Sequence, residues 1–153
     1  MNKPSTHVSR LMKATREDVY DALTNARAII KWKFPDDMAI KVHTFENFEG
    51  GAFRVSLTYT DKNRKGKSAA HTDTYHGHFI KLLPGKMVVE EEEFETEDPA
   101  LQGKMTATIT LTKVNGGTLV EASHTGLPSG LSPKDNEMGW KMSLAKLARF
   151  VER

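Results

Sequence analysis

The chain has 153 residues, the size of one ordinary domain, and such a domain buries roughly 68–70% of its unfolded surface. Lys plus Arg number 22 against 20 Asp plus Glu, and a formal charge of +2 gives no general pull toward nucleic acid or anionic membrane. The absence of cysteine excludes disulfides, thiolate metal sites and a cysteine nucleophile. No apolar run is long enough for a signal peptide or a transmembrane span, so a single soluble, cytoplasmic domain over 1–153 is expected.

In chain order, "HVSRLMK" (7–13) reads as a short strand with Val8 on its closed face. "TREDVYDALTN" follows as a helix. Thr15 stands as its N-cap, acids fill the first turn, and Val19, Ala22 and Leu23 fall at helical spacing. "ARAIIKW" is a second short helix ending near Trp32 and Pro35. From 38 to 125 the period is two. "FRVSLTY" alternates Phe53, Val55, Leu57 and Tyr59 with polar partners. "KMTATITLT" sets Met105, Ala107, Ile109 and Leu111 against a face of threonines. "EGG", "KNRKGK", "LPGK" and "VNGGT" supply hairpin chemistry, which predicts one twisted antiparallel sheet with an apolar face and a wet face. "LSPKDNEMGWKMSLAKLARFVER" opens on Ser132 as N-cap and Pro133 at the first helical position. Its stripe of Trp140, Leu144, Leu147, Ala148 and Val151 predicts a long helix lying on the sheet's apolar face.

That order of β, two helices, six strands and a long helix resembles the SRPBCC superfamily (START-like, birch-pollen-allergen-like, helix-grip). Within it the chain is similar to the branch homologous to the C-terminal domain of the activator of heat-shock protein 90 ATPase. The resemblance rests on "RLMKATREDVYDALTN", Trp32, "EGGAFRV", "YHGHFIKLLPGKMVV", "GKMTATITLT", "GGTLVEASHTGLP" and "GWKMSLAKL". One departure is Glu90 to Glu93, where the family's fifth strand usually carries tryptophan or another apolar residue. The resemblance implies an α+β helix-grip fold, a curved antiparallel sheet of about seven strands (β-α-α-β6-α) wrapped around the C-terminal helix over a cavity. Relatives hold lipids, steroids or polyketides there, and a minority catalyse cyclisation or dehydration. The eukaryotic activators bind the chaperone through an additional N-terminal domain with no counterpart in these residues.

The stretch "HTDTYHGHFIKLLPGKMVVEEEEFE" (71–95) raises the sharpest local question, because its histidines precede four glutamates. A two-residue turn at Pro84-Gly85 predicts Leu82 opposite Met87, Ile80 opposite Val89, His78 opposite Glu91 and His76 opposite Glu93. All eight share one face, and the aliphatic pairs favour turning that face inward. The other face carries Tyr75 with Phe94, Phe79 with Glu90 and Gly77 with Glu92; His71 has the opposite parity and drops out. Two imidazoles and two carboxylates could ligate Zn or Fe, poise a general base, line the cavity mouth, or form ion pairs on a solvated edge. No ligand spacing of known specificity supports the metal, so no metal and no cofactor are expected.

In the Asn115-Gly116 hairpin, Ala107 falls near His124, which therefore points inward; a buried histidine is more often a satisfied core residue than a catalyst. The basic tip "KNRKGK" (62–67) lacks interleaved aromatics and reads as a solvated hairpin, and "EGGAF" lacks the phosphate-loop pattern. Met138, Met142 and Ala145 lie on the far side of the last helix, either exposed and self-associating or, as preferred, capped by the 126–131 loop.

The function expected is binding of a small hydrophobic or amphipathic molecule between the sheet and the C-terminal helix. Trp32, Phe53, Tyr59, Met105, Ile109, Trp140 and Leu144 are the candidate apolar lining, with His78, Glu91 and His124 as the polar groups. Alternatives are an enzyme of cyclase, dehydratase or hydrolase type using the same cavity, and a chaperone-associated stress protein. A monomer or homodimer is expected, with no nucleic-acid partner and no membrane insertion.

Overall fold

The computed structural model describes residues 3–59 and 72–152, so the 62–67 tip and His71 lie outside the described residues. The elements run β1 (Thr6–Met12), α1 (Arg16–Leu23), α2 (Ala26–Trp32), β2 (Met38–Phe45), β3 (Ala52–Tyr59) and β4 (Thr72–Leu83). They continue with β5 (Met87–Phe94), β6 (Met105–Val114), β7 (Gly117–Thr125) and α3 (Pro133–Val151). The strands pair antiparallel in one curved sheet ordered β1-β7-β6-β5-β4-β3-β2, with the helices on its inner face. This is the helix-grip architecture expected from the sequence.

Helix starts follow local chemistry. The Asp18 amide donates to Thr15 Oγ1 at 3.1 Å, and the Asp135 amide donates to Ser132 Oγ at 3.2 Å, each satisfying one otherwise orphaned donor. On α3, Leu144, Leu147 and Ala148 are fully covered by the sheet and the shorter helices, while Trp140 and Val151 are half-buried. The back of α3 stays open: Met138 is 56% and Met142 54% exposed. The expected cap over this ridge does not form. The 126–131 loop instead turns toward residues 4 and 100, with Leu127 N–H donating to the Pro4 carbonyl and Gly130 N–H to the Ala100 carbonyl.

The β4–β5 hairpin decides what faces the interior, and here the structure corrects the sequence reading. Leu83 pairs with Met87, Leu82 with Val88 and Lys81 with Val89. The turn takes three residues, closed by Lys86 N–H donating to the Leu83 carbonyl at 2.8 Å, with Gly85 in the left-handed region at φ +73°. A bulge at Ile80 then cancels that offset. Register beyond the bulge is therefore the one expected, with His78 opposite Glu91 and His76 opposite Glu93.

The inward face is the other one. Tyr75, Phe79, Val88 and Glu90 are buried, whereas Ile80 is 52% exposed and His78 is exposed. The bulge carries Leu82 across to the inner face beside Val88, where it packs against the core. Aromatic contacts fix the choice: the Phe53 ring lies 6.0 Å from Tyr75 and 5.2 Å from Phe79, both near edge-to-face.

Gly77 makes this packing possible. A Cβ added there would lie 1.9 Å from the Glu91 carbonyl oxygen and 2.8 Å from the Phe53 ring. Gly77→Ala is expected to lower stability by at least about 1–3 kcal/mol in urea unfolding, as overpacking does in a closed core. A change below about 0.5 kcal/mol, the scale of an ordinary surface substitution, would contradict this close approach.

Candidate functional site

Side-chain alternation on β5 puts Glu90 and Glu92 on the inner face, where the row across the sheet reads Phe79, Glu90, Ala107, His124, Thr6. A buried carboxylate must be paired or neutralised. Lys33, the residue closing α2, reaches in and donates from Nζ to Glu90 Oε2 at 3.2 Å, with side-chain exposures of 17% and 6%. Two contacts from α3 fix that end of α2: Ser143 Oγ donates to the Lys33 carbonyl at 2.7 Å, and Lys146 Nζ to the Phe34 carbonyl at 2.6 Å. The first is a carbonyl that the end of α2 leaves unpaired, and the second belongs to the residue just beyond it. Lys146 also pairs with Asp36 at 2.6 Å.

Glu92 has a different partner. Small Ala107 stands between Glu90 and His124 in the sheet, and His124 Nε2 comes within 3.2 Å of Glu92 Oε1. The carboxylate sits off the direction of the ring N–H, so the contact is an ion–dipole attraction rather than an aligned hydrogen bond. Nε2 is the one buried side-chain polar atom among the described residues without an aligned partner.

The other ring nitrogen fixes the tautomer. Trp140 Nε1–H, which can only donate, points to His124 Nδ1 at 3.2 Å. Thr6 Oγ1 donates to Asn136 Oδ1 at 2.6 Å, and the Asn136 amide lies edge-on to the same Nδ1, its nitrogen at 3.2 Å and its oxygen at 3.3 Å. Nδ1 is thus an acceptor, and the ring proton sits on Nε2 facing Glu92.

The two acids diverge electrostatically. Burial pushes the Glu90 carboxyl up, and Lys33 offsets this only in part. Burial also opposes Glu92 ionisation, but the His124 contact and the Lys33 charge outweigh it and hold that carboxyl below its usual range. Burial would push Lys33 down, yet the charges of Glu90 and Glu92 keep it protonated. Lys33 stays a lysinium because one cation faces two acids, and of those acids Glu90 is the harder to ionise.

Beside this cluster lies a cavity of about 360 Å³ between the inner face and the first half of α3. Phe34, Leu57, Tyr75, Phe94, Met105 and Trp140 form most of its apolar wall, and Lys33, Glu92, His124, Asn136 and Ser143 its polar side. A larger groove of about 730 Å³ runs between the start of α1 and the β6–β7 turn, lined by Arg16, Glu17, Lys113 and the Asn115–Gly117 turn, and none of the buried charges lines it.

Of the residues singled out in the sequence, Met105, His124 and Trp140 line this cavity. Phe53, Ile109 and Leu144 lie in the core, as does Trp32, whose indole donates to the Ala22 carbonyl at 2.9 Å. The Tyr59 hydroxyl donates to Asp73 at 3.3 Å. His78 and Glu91 are on the outer face and do not reach the cavity; Glu91 pairs with Lys104 at 3.5 Å. The aromatic parity of Tyr75, Phe79 and Phe94 was the signal that Glu90 and Glu92, not Glu91 and Glu93, face inward.

On the outer face, His76 lies 3.2 Å from Glu93 and 3.0 Å from Glu95, which also takes two hydrogen bonds from Arg54 at 2.7 and 2.9 Å. This is the ion-pair reading of the histidine-glutamate stretch. Among the described residues no group of three or more His, Asp or Glu side chains is disposed to hold a metal ion. No helix there is long and apolar enough to cross a membrane.

Two outcomes test this electrostatic picture. Lys33→Met leaves two buried acids without their cation and is expected to cost about 3–5 kcal/mol at neutral pH. Both acids then hold protons more tightly folded than unfolded, so the deficit should shrink as pH falls through their raised pKa values. A deficit in denaturant unfolding that is small or constant with pH would contradict it. Arg54, through its hydrogen bonds, holds Glu95 down to about 2, so Glu95 adds stability above its unfolded pKa and loses it as pH falls toward 2. Arg54→Gln should raise the Glu95 midpoint in a carboxyl NMR titration, and an unmoved midpoint would refute the assignment.

Residues 13–152 match the family described as Activator of Hsp90 ATPase homolog 1-like protein. No curated protein matches the chain in sequence. Among solved structures, a Chromobacterium violaceum protein superposes with a TM-score of 0.86 at 27% identity, over 97% of each chain. A Mesorhizobium loti protein gives 0.74 at 20% identity over 98% of each chain. The AHSA1-like protein from Aeromonas hydrophila gives 0.73 at 16% identity, over 97% of this chain and 92% of that one. At such identities the last two speak to fold alone. With a family match that runs from the end of β1 to the end of α3, the chain belongs to the Activator of Hsp90 ATPase homolog 1-like family, the branch of the SRPBCC superfamily that its sequence resembles.

Proposed function

We propose that the protein binds a small molecule with a largely apolar body in the cavity between the sheet and α3. The observation that carries this reading is the cavity itself, about 360 Å³, walled by aromatic side chains with a few polar groups grouped on one side. That volume lies at the small end of ligand sites, which commonly span about 300–1,000 Å³. The fold of this family commonly encloses apolar ligands, which supports the same reading.

Turnover is the weaker alternative, for a reason specific to His124. Its Nδ1 accepts from Trp140 and Asn136, and its Nε2 proton faces Glu92, so the imidazole offers no free lone pair to a substrate. The cluster is arranged to hold charge in place.

Gly139 provides a clean test. It lines the cavity on α3, and a Cβ added there meets nothing within 4 Å. Gly139→Phe should fill cavity space while leaving the fold intact, and removing a helical glycine should slightly favour the helix. Wild-type protein is expected to enhance the fluorescence of the neutral probe N-phenyl-1-naphthylamine saturably. Ligand at 100 times its dissociation constant should add about 2.7 kcal/mol of stability. Gly139→Phe should lose both responses with an unchanged or raised melting temperature. Absence of saturable binding to wild type, or equal binding to the variant, would overturn the assignment.

A further inference from the structure

The polar side of the cavity is not neutral in what it accepts. Glu92 offers one oxygen to His124; its other oxygen, Oε2, has no protein partner among the described residues, although the residue lines the cavity. Tyr75 lines the same space, and its hydroxyl also has no partner among the described residues. The sheet makes them diagonal neighbours on one face, since Tyr75 pairs with Phe94 and Glu92 stands two residues from Phe94. Gly77, directly opposite Glu92, contributes no side chain of its own between them.

The cations lining the cavity are already engaged. Lys33 is bound to Glu90 at 3.2 Å, and Lys146 holds the Phe34 carbonyl and Asp36 at 2.6 Å each. Lys33 is therefore one positive charge facing two acids, and a ligand carboxylate would be a third.

The geometry points to a ligand whose head is a neutral hydroxyl, an alcohol or phenol, seated between Glu92 and Tyr75, with carboxylate heads excluded. This rests on the reading of the cavity as a ligand site. A hydroxyl donates its proton to Glu92 Oε2 and accepts one from the Tyr75 O–H, completing both groups at once. A carboxylate has no proton for Glu92 and adds like charge. An ammonium satisfies Glu92 but cannot accept from Tyr75, and it meets Lys33. The states of the two residues agree with this: Glu92 is held ionised by His124 and Lys33 against burial, and burial keeps the Tyr75 phenol protonated.

Three probes with one tail separate head from body: 1-octanol, octylamine and octanoate, measured near neutral pH by calorimetry on the intact protein. Octanol is expected to bind most tightly and octanoate at least about tenfold more weakly, since a charged head leaves buried polar groups unmatched. Tyr75→Phe, which keeps the ring packing, should weaken octanol several-fold and leave octylamine nearly unchanged. Glu92→Gln should bring octanol and octanoate closer together. Octanoate binding as well as or better than octanol, or a Tyr75→Phe variant indifferent to the hydroxyl, overturns the head-group assignment and leaves the cavity reading standing. No binding of any of the three, with N-phenyl-1-naphthylamine also inert, overturns both.

Discussion

The rest of the structure depends on one constraint: β5 places Glu90 and Glu92 on the closed face of the sheet. Strand alternation leaves no other choice once Val88 and Phe94 pack inward, because every second residue shares their face. Two carboxylates in a core are tolerated only with cations or donors brought to them. Lys33 comes from α2, His124 from β7, and Trp140 and Asn136 from α3. The acids thereby tie the second helix, the sheet centre and the long helix to one another.

That arrangement also explains why a cavity survives at one end of the interface. Toward the far end of α3, Leu144, Leu147 and Ala148 close onto the sheet with ordinary apolar packing. Toward its start the helix presents Asn136, Gly139, Trp140 and Ser143, which are polar, small, or committed to His124 and the Lys33 carbonyl. Side chains held by hydrogen bonds cannot collapse to fill the space beside them. The contacts that hold the buried acids therefore also keep the pocket open.

Much of the architecture was legible in the sequence. Thr15 and Ser132 mark their helix starts, the β6–β7 register follows from Asn115-Gly116, and the apolar stripe of α3 faces the sheet. The β4–β5 register came out right through cancelling offsets, a three-residue turn and a bulge at Ile80, neither of which has a decisive local signal. The inward face differs from the expected one because the pairs Leu82–Met87 and Ile80–Val89 suggest core, whereas Ile80 is exposed and Leu82 reaches the inner face only through the bulge. Tyr75, Phe79 and Phe94 were the better guide, since large rings bury more area than a tip can offer. Lys33 could not be seen in advance: its partner Glu90 is 57 residues away, and nothing in "IKWKF" separates it from a surface lysine.

The most direct test of this account is to titrate the glutamate carboxyl carbons by NMR and assign Glu90 and Glu92. Their midpoints are expected on opposite sides of the usual glutamate value near 4.3, with Glu92 below it and Glu90 above. The curves should be interdependent, since each carboxylate feels the other across Lys33. Two independent titrations at the ordinary value would mean that both acids face water, and would contradict the inward placement of β5 on which the buried cluster and the cavity beside it are built.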